Sequence, residues 1–177
     1  MKILLTIFFV CLLGIPAVGN AAERDTTLID FKLKDQFDNE YRDDDWQGRI
    51  IVLFGYDRKG NEYQDQWLAA LRDSLPPSGD STAISFIRLA NVRGVPFFLK
   101  GMLKGKFPQE PDQWVLLDWK GRFDKAYEFE DDACNILVFD RQGALVYRTP
   151  VTELNIGTLK QITTYIRSLL PPGHLEP

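Results

Sequence analysis

The sequence predicts an α/β fold in which a mixed central sheet carries helices on both faces. Residues 49–56 read RIIVLFGY, and five consecutive apolar residues are typical of a central strand that is covered on both faces. Apolar residues from Tyr63 to Leu75 recur every three or four positions, which predicts an amphipathic helix directly after this strand. Strands and helices then alternate before a hairpin and a closing helix, and this order favours helices on both faces of a mixed sheet.

The other elements follow from shorter patterns. Weak alternation over 28–33, followed by the turn residues Asp38-Asn39-Glu40, predicts a short hairpin near the start of the domain. Pro96 is a favoured first residue of a helix, so a short helix is expected from there to about Leu103. The remaining predictions are strands at 83–89 and 114–118, a helical turn at 123–127, a hairpin pairing 136–139 with 145–147, and a final amphipathic helix from 154 to 170.

The first 22 residues have the three-part pattern of a cleaved secretory signal peptide. Lys2 supplies a positive start, residues 3–18 are almost wholly apolar, and small residues follow up to Ala22. A retained membrane anchor is the alternative, but the apolar stretch is shorter than the ~20 residues that a spanning helix needs. The expected organisation is a signal peptide at 1–22, one domain at 23–170 and a Pro-rich tail at 171–177, in a periplasmic or secreted protein.

Charge and composition exclude several classes of function. The chain has a formal net charge of −4, whereas a nucleic-acid-binding protein normally needs a basic face. After removal of the signal, Cys134 is the only cysteine, so an internal disulfide cannot form. His174 is the only histidine, and a zinc site of the Cys/His type needs three or four such ligands. We therefore expect no nucleic-acid partner, no metal and no cofactor.

Four stretches resemble a known superfamily in their order and spacing. They are FKLKDQFDNEY (31–41), DDWQGRIIVLFGYD (44–57), WVLLDWKGRFDKAY (114–127) and NILVFDRQGALVYR (135–148). Together they resemble the redoxin branch of the thioredoxin-like superfamily, which includes peroxiredoxins, periplasmic thiol reductases and copper-chaperone relatives. The resemblance covers roughly 28–170 and implies a thioredoxin-like fold. The sequence is also similar to periplasmic members that keep this fold without the active-site cysteines.

The same resemblance implies that the residues of redox chemistry are missing. Redox-active members carry a cysteine motif in the loop before the first helix, where the helix N-terminus stabilises a thiolate. Here 57–63 reads DRKGNEY, and Lys59 and Tyr63 align with the two cysteines of the copper-chaperone pattern. Where thioredoxins have a cis-proline and peroxiredoxins an arginine, this chain has Ala-Cys-Asn at 133–135, so a trans peptide bond is expected. Dithiol exchange, peroxiredoxin chemistry and cysteine-based copper delivery all lack their residues.

Five residues near the altered loop are the candidates for binding. Asp57, Lys59, Glu62 and Tyr63 lie where the family performs its chemistry, although polar loop residues are also ordinary surface. Cys134 is the one candidate for covalent catalysis. It begins an apolar strand, where a free cysteine acts as a small hydrophobic residue. The acidic segment just before it, at 128–132, would disfavour a thiolate.

A basic apolar segment offers a different surface. Phe97 and Phe98 alternate with Lys100 and Lys104 in a stretch that could lie on an anionic membrane or hold a partner protein. The simpler account is that the phenylalanines pack into the core while the lysines remain solvated.

The leading functional hypothesis is a non-catalytic binding or accessory protein of the bacterial envelope, whose partner is an envelope protein or a small ligand. One alternative is a one-cysteine thiol oxidoreductase or peroxidase that acts through Cys134. Another is a membrane-surface or complex-anchored subunit that uses the segment at 95–106.

Overall fold

The computed structural model of the protein describes residues 27–75 and 83–170, so the predicted signal peptide and C-terminal tail lie outside the described residues. No helix within these two ranges is long and apolar enough to cross a membrane. The strands are β1 (Lys32–Asp35), β2 (Glu40–Arg42), β3 (Ile50–Tyr56), β4 (Ile84–Asn91), β5 (Leu116–Asp118), β6 (Cys134–Phe139) and β7 (Leu145–Val151). The helices are α1 (Asn61–Ser74), α2 (Lys100–Lys104), α3 (Arg122–Tyr127) and α4 (Ile156–Ser168), with 3-10 turns at Asp43–Trp46 and Phe97–Leu99.

The seven strands form one mixed sheet in the order β2-β1-β5-β4-β3-β6-β7. The three central strands β3, β4 and β5 are parallel, because α1 and α2 carry the chain back between them. The outer pairs are antiparallel: β1 lies against β5, and β6 lies against β3. The turn from β6 to β7 contains Gly143 at φ +80°, a left-handed conformation that glycine adopts without strain. The predicted mixed α/β architecture is confirmed.

Side chains alternate along β3 and divide the apolar core into two layers. Val52 and Phe54 belong to the layer under α1 and α4. Ile51 and Leu53 belong to the layer on the opposite face, which is covered by α3. Every residue of β3 is buried, as its uninterrupted apolar run predicts. Helices therefore cover both faces of the sheet.

The predicted elements are present, but β1 begins and ends later than the predicted 28–33, and β5 is shorter than the predicted 114–118. The amide of Ile29 donates to the Tyr127 hydroxyl, and the amide of Phe31 donates to the Asp43 carboxylate, so β1 starts only after these side-chain bonds. At β5 the amide of Val115 donates to the Gln36 side chain. Side chains distant in sequence take these backbone groups, and periodicity carries no information about such partners.

The expectation that Phe97 and Phe98 pack into the core is wrong. Their exposed fractions are 83% and 80%. The side chains that this segment packs against the core are those of Val95, Leu103 and Phe107. Both phenylalanines lie in the 3-10 turn that precedes α2, and this turn buries none of its residues.

Helix α4 offers a matched test of the core that α1 and α4 share. Ile162 is fully buried, whereas Ile156 on the same helix is 73% exposed. We expect Ile162→Ala to lower the free energy of unfolding by about 2–5 kcal/mol, because it leaves a cavity. Ile156→Ala should change it by less than about 0.5 kcal/mol. Urea denaturation of both variants measures the difference, and equal effects would contradict this packing.

Candidate functional site

A cleft opens at the carboxyl ends of the parallel strands β3 and β4, and its volume is about 830 Å³. In open α/β sheets, ligands commonly bind at this edge, because loops diverge there and leave a crevice. One wall is the end of β3 with the start of α1, and the floor is β4 together with Val115. The other wall is the segment from Val95 to Pro108. The volume is typical of a small-molecule site.

Asp57 fixes the loop that leaves β3. One carboxylate oxygen accepts hydrogen bonds from the amides of Lys59 (3.0 Å) and Gly60 (2.7 Å). The other accepts one from the amide of Asp132 at 3.0 Å, in the loop before β6. Asp57 therefore lies at the cleft, but its lone pairs hold the backbone of two loops together.

Lys59 is paired within the protein. Its ammonium lies 2.6 Å from an Asp132 carboxylate oxygen, and both side chains are largely exposed. The hydrogen bond and the charge of Asp132 raise the pKa of Lys59. This amine is therefore protonated at neutral pH and is not a general base.

The structure separates the other two loop candidates from the cleft. Glu62 is an exposed residue of the first turn of α1. Tyr63 is half-buried and packs against the core layer under α1. Of the four loop residues predicted to form a site, the cleft brings together Asp57 and Lys59 only.

Cys134 is fully buried at the first position of β6, opposite Tyr56 of β3 in the sheet register. Burial raises the pKa of its thiol well above the ordinary value. The prediction that a thiolate is disfavoured therefore agrees with the structure, but the cause is burial rather than the acidic segment at 128–132. None of the described residues has a cis peptide bond, so the expected trans bond before this strand is confirmed.

Two buried residues of the cleft were not predicted from the sequence. Arg88 lies in the middle of β4 and is only 8% exposed, and Tyr56 ends β3 with 2% exposure. Burial lowers the pKa of Arg88 and strongly raises that of Tyr56, because both charged forms lose hydration. An arginine inside the apolar strand sequence ISFIRLAN was the available signal for this site.

The exposed apolar patch of Phe97, Phe98 and Met102 lies on the segment that forms one wall of the cleft. The Lys100 ammonium sits 4.5 Å from the centre of the Trp119 ring. Lys104 forms an ion pair with Asp38, which lowers the pKa of that carboxyl group. Both lysines named as membrane or partner candidates are therefore held by groups of the domain itself.

No protein-family model matches the sequence, and no curated protein matches it either. Solved structures do match. Etrx1, the pneumococcal exposed lipoprotein thioredoxin from Streptococcus pneumoniae, superposes with a TM-score of 0.51 at 20% identity, covering 75% of this chain and 99% of that chain. A SCO1/SenC family lipoprotein from Bacillus anthracis gives 0.56 at 10% identity, with 82% and 96% covered. Yeast Sco1 gives 0.54 at 14% identity, with 84% and 99% covered. The fold is thioredoxin-like.

This thioredoxin-like domain brings the loop after β3 directly against the residue before Cys134. A Cβ atom built on Gly60 would lie 2.1 Å from the Ala133 carbonyl oxygen, so only glycine allows this approach. The two segments that lack the family's redox residues, 57–63 and 133–135, are therefore in contact. Within the described residues, no group of three or more His, Cys, Asp or Glu side chains could hold a metal ion.

The hydrogen bonds of Asp57 predict a clear mutational effect. Asp57→Ala should lower the free energy of unfolding by about 1–3 kcal/mol, because three backbone amides lose their acceptor. Asp57→Asn keeps one acceptor oxygen and should be less destabilising. Lys59→Ala is the control and should leave the denaturation midpoint unchanged, because an exposed ion pair adds little. Chemical denaturation tests all three, and a larger effect for Lys59→Ala would refute this role.

Proposed function

We propose that the protein is an exported, non-catalytic binding or accessory protein of the bacterial envelope, and that it binds through the cleft at the ends of β3 and β4. The observation that carries the proposal is the combination of an open cleft with a Cys134 thiol that is buried away from solvent. The cleft has about 830 Å³ of space, while Cys134, the only cysteine of the described residues, is fully buried.

The burial of Cys134 argues against the thiol oxidoreductase or peroxidase alternative. The thiolate is the nucleophile of such chemistry, and burial raises the pKa of this thiol. Catalytic thiols instead need donors or cations that stabilise the anion, and a path for the substrate. The loop that carries the cysteine motif in redox relatives here holds Asp57, whose carboxylate is bonded to the backbone.

Export is supported by the N-terminal segment, which has the pattern of a signal peptide. Two of the similar structures carry the word lipoprotein in their names, which fits a location in the cell envelope. A binding role at this location needs a crevice with selective chemistry rather than a reactive group.

The reactivity of Cys134 tests the proposal. In the native mature protein, a thiol reagent should react at least about a hundredfold more slowly than in denaturant, because burial blocks access and depletes the thiolate. The native rate should not rise as the pH passes about 8.5, where a free thiol ionises, because the folded pKa is higher.

Cys134→Ala is the control that reports any background reaction. Fast native reaction with a midpoint below about 8.5 would overturn the non-catalytic role and favour the one-cysteine enzyme.

The exposed patch of Phe97, Phe98 and Met102 supports a second candidate function, contact with a membrane surface. The Lys100 ammonium lies 5.4 Å from the centre of the Phe97 ring, and the neighbouring Lys106 is exposed. Aromatic residues beside cations are typical of segments that lie at a lipid interface.

Vesicle co-sedimentation tests this second candidate. On this candidate, the mature protein binds vesicles of phosphatidylcholine and phosphatidylglycerol, and the double variant Phe97→Ser/Phe98→Ser loses about tenfold or more of that affinity. Ile156→Ser removes an equally exposed apolar residue elsewhere and should retain binding. Failure of the unmodified protein to sediment with the vesicles would exclude the membrane-contact function.

A further inference from the structure

Arg88 places a buried cation at the cleft. Its side chain makes no hydrogen bond and no ion pair with any residue in the described ranges, although it is only 8% exposed. The carboxylates of Asp65 and Asp112 influence the guanidinium electrostatically, but neither lies within ion-pair distance. Asp65 instead accepts a hydrogen bond from the Gln64 amide at 2.9 Å. A buried charge normally has a partner, because its desolvation is otherwise uncompensated.

The guanidinium lies in the cleft rather than in the sealed core. Arg88 lines the same cavity as Tyr56, whose hydroxyl also makes no hydrogen bond to a described residue. An arginine presents five N–H donors in a planar fork, which matches the two oxygens of a carboxylate. The Tyr56 hydroxyl supplies one more donor. Two unpaired polar groups thus mark one end of the cleft as a place for an anionic group.

The other cations of the cleft do not offer the same chemistry. Lys59 is paired with Asp132, and Arg93 lies 3.2 Å from the Asp124 carboxylate. Arg58 and Lys106 are exposed, so water and salt screen their charges. Five cationic side chains line the cleft against three carboxylates, although the whole chain is acidic. The one buried and unpaired charge among them is a single positive charge, which a monoanion would balance.

Apart from the amide side chains of Asn61, Gln64 and Asn91, the uncharged lining beside Tyr56 is apolar. Ala90, Val92 and Val115 are buried parts of the floor, and Leu103 and Phe107 contribute from the opposite wall. A ligand that reaches Arg88 must therefore place nonpolar groups along these side chains.

We propose that the cleft binds a small organic carboxylate with an apolar body, whose head group is held by Arg88. This inference rests on the proposed binding function of the cleft and names the class of its ligand. The carboxylate accepts from the Arg88 fork and from the Tyr56 hydroxyl, and the apolar body lies against Ala90, Val92 and Val115.

Calorimetry on the mature protein with decanoate and decan-1-ol, which share one chain length, tests the proposal. Decanoate should bind at least about tenfold more tightly than decanol, because a charge-assisted hydrogen bond to a buried arginine is strong. Arg88→Met should abolish this difference, and Arg88→Lys should restore part of it. Backbone amide chemical shifts should change around residues 88–92 when decanoate binds.

Arg122→Met is the matched control, since Arg122 is an exposed arginine of α3 on the opposite face of the sheet. It should keep the preference for decanoate. Because Arg88→Met removes an uncompensated buried charge, its Tm should not fall, which separates lost binding from lost folding.

Absence of decanoate binding, or equal affinity for decanoate and decanol, would overturn the carboxylate site. It would leave the non-catalytic role standing, because that role is tested separately by the thiol reaction of Cys134. A reactive Cys134 would instead refute the non-catalytic role whatever the cleft binds.

Discussion

The complete burial of β3 is the constraint on which the rest of the structure depends. This strand pairs with β4 on one side and β6 on the other, and each of its faces forms part of a separate apolar layer. Burial of a strand on both faces requires helices above and below it, and α1, α4 and α3 meet that requirement. The chain leaves β3 at the same edge of the sheet as β4, and the cleft lies at that edge.

The exit from β3 also determines what the cleft can do. Asp57 accepts three backbone hydrogen bonds and thereby ties the loop after β3 to Asp132, just before β6. The same arrangement lays Gly60 on the Ala133 carbonyl, next to the buried Cys134. The loop that Asp57 holds thus packs against the backbone beside Cys134.

Most of the fold follows from periodicity in the sequence. The apolar run at 49–56 and the spacing from Tyr63 to Leu75 predict β3 and α1, because burial alone determines both patterns. Periodicity fails where the decisive partner is distant in sequence. Gln36 caps the amide of Val115, which shortens β5, and three other side chains fill the space expected for the Phe97–Phe98 pair.

The candidate site was only half predictable for the same reason. The resemblance to redoxins located the loop with Asp57 and Lys59, because it depends on order along the chain. It could not separate Glu62 and Tyr63 from the cleft, since helix orientation decides which side chains reach it. The sequence did not single out Arg88. Its interest depends on its having no hydrogen-bond or ion-pair partner among the described residues, and the local sequence does not show which residues pair in the fold.

The position of Arg88 on the sheet bears on whether its charge has a structural or a ligand-binding role. A structural buried arginine is expected to be paired, because an unpaired one destabilises the fold. Lys59 and Arg93, at the same cleft, are paired with Asp132 and Asp124 even though both side chains are exposed. Arg88 departs from this expectation on β4, one of the strands that line the cavity. The backbone of a paired strand is already ordered without a ligand, so the entropy lost when an anion binds Arg88 is confined to the side chain and the ligand.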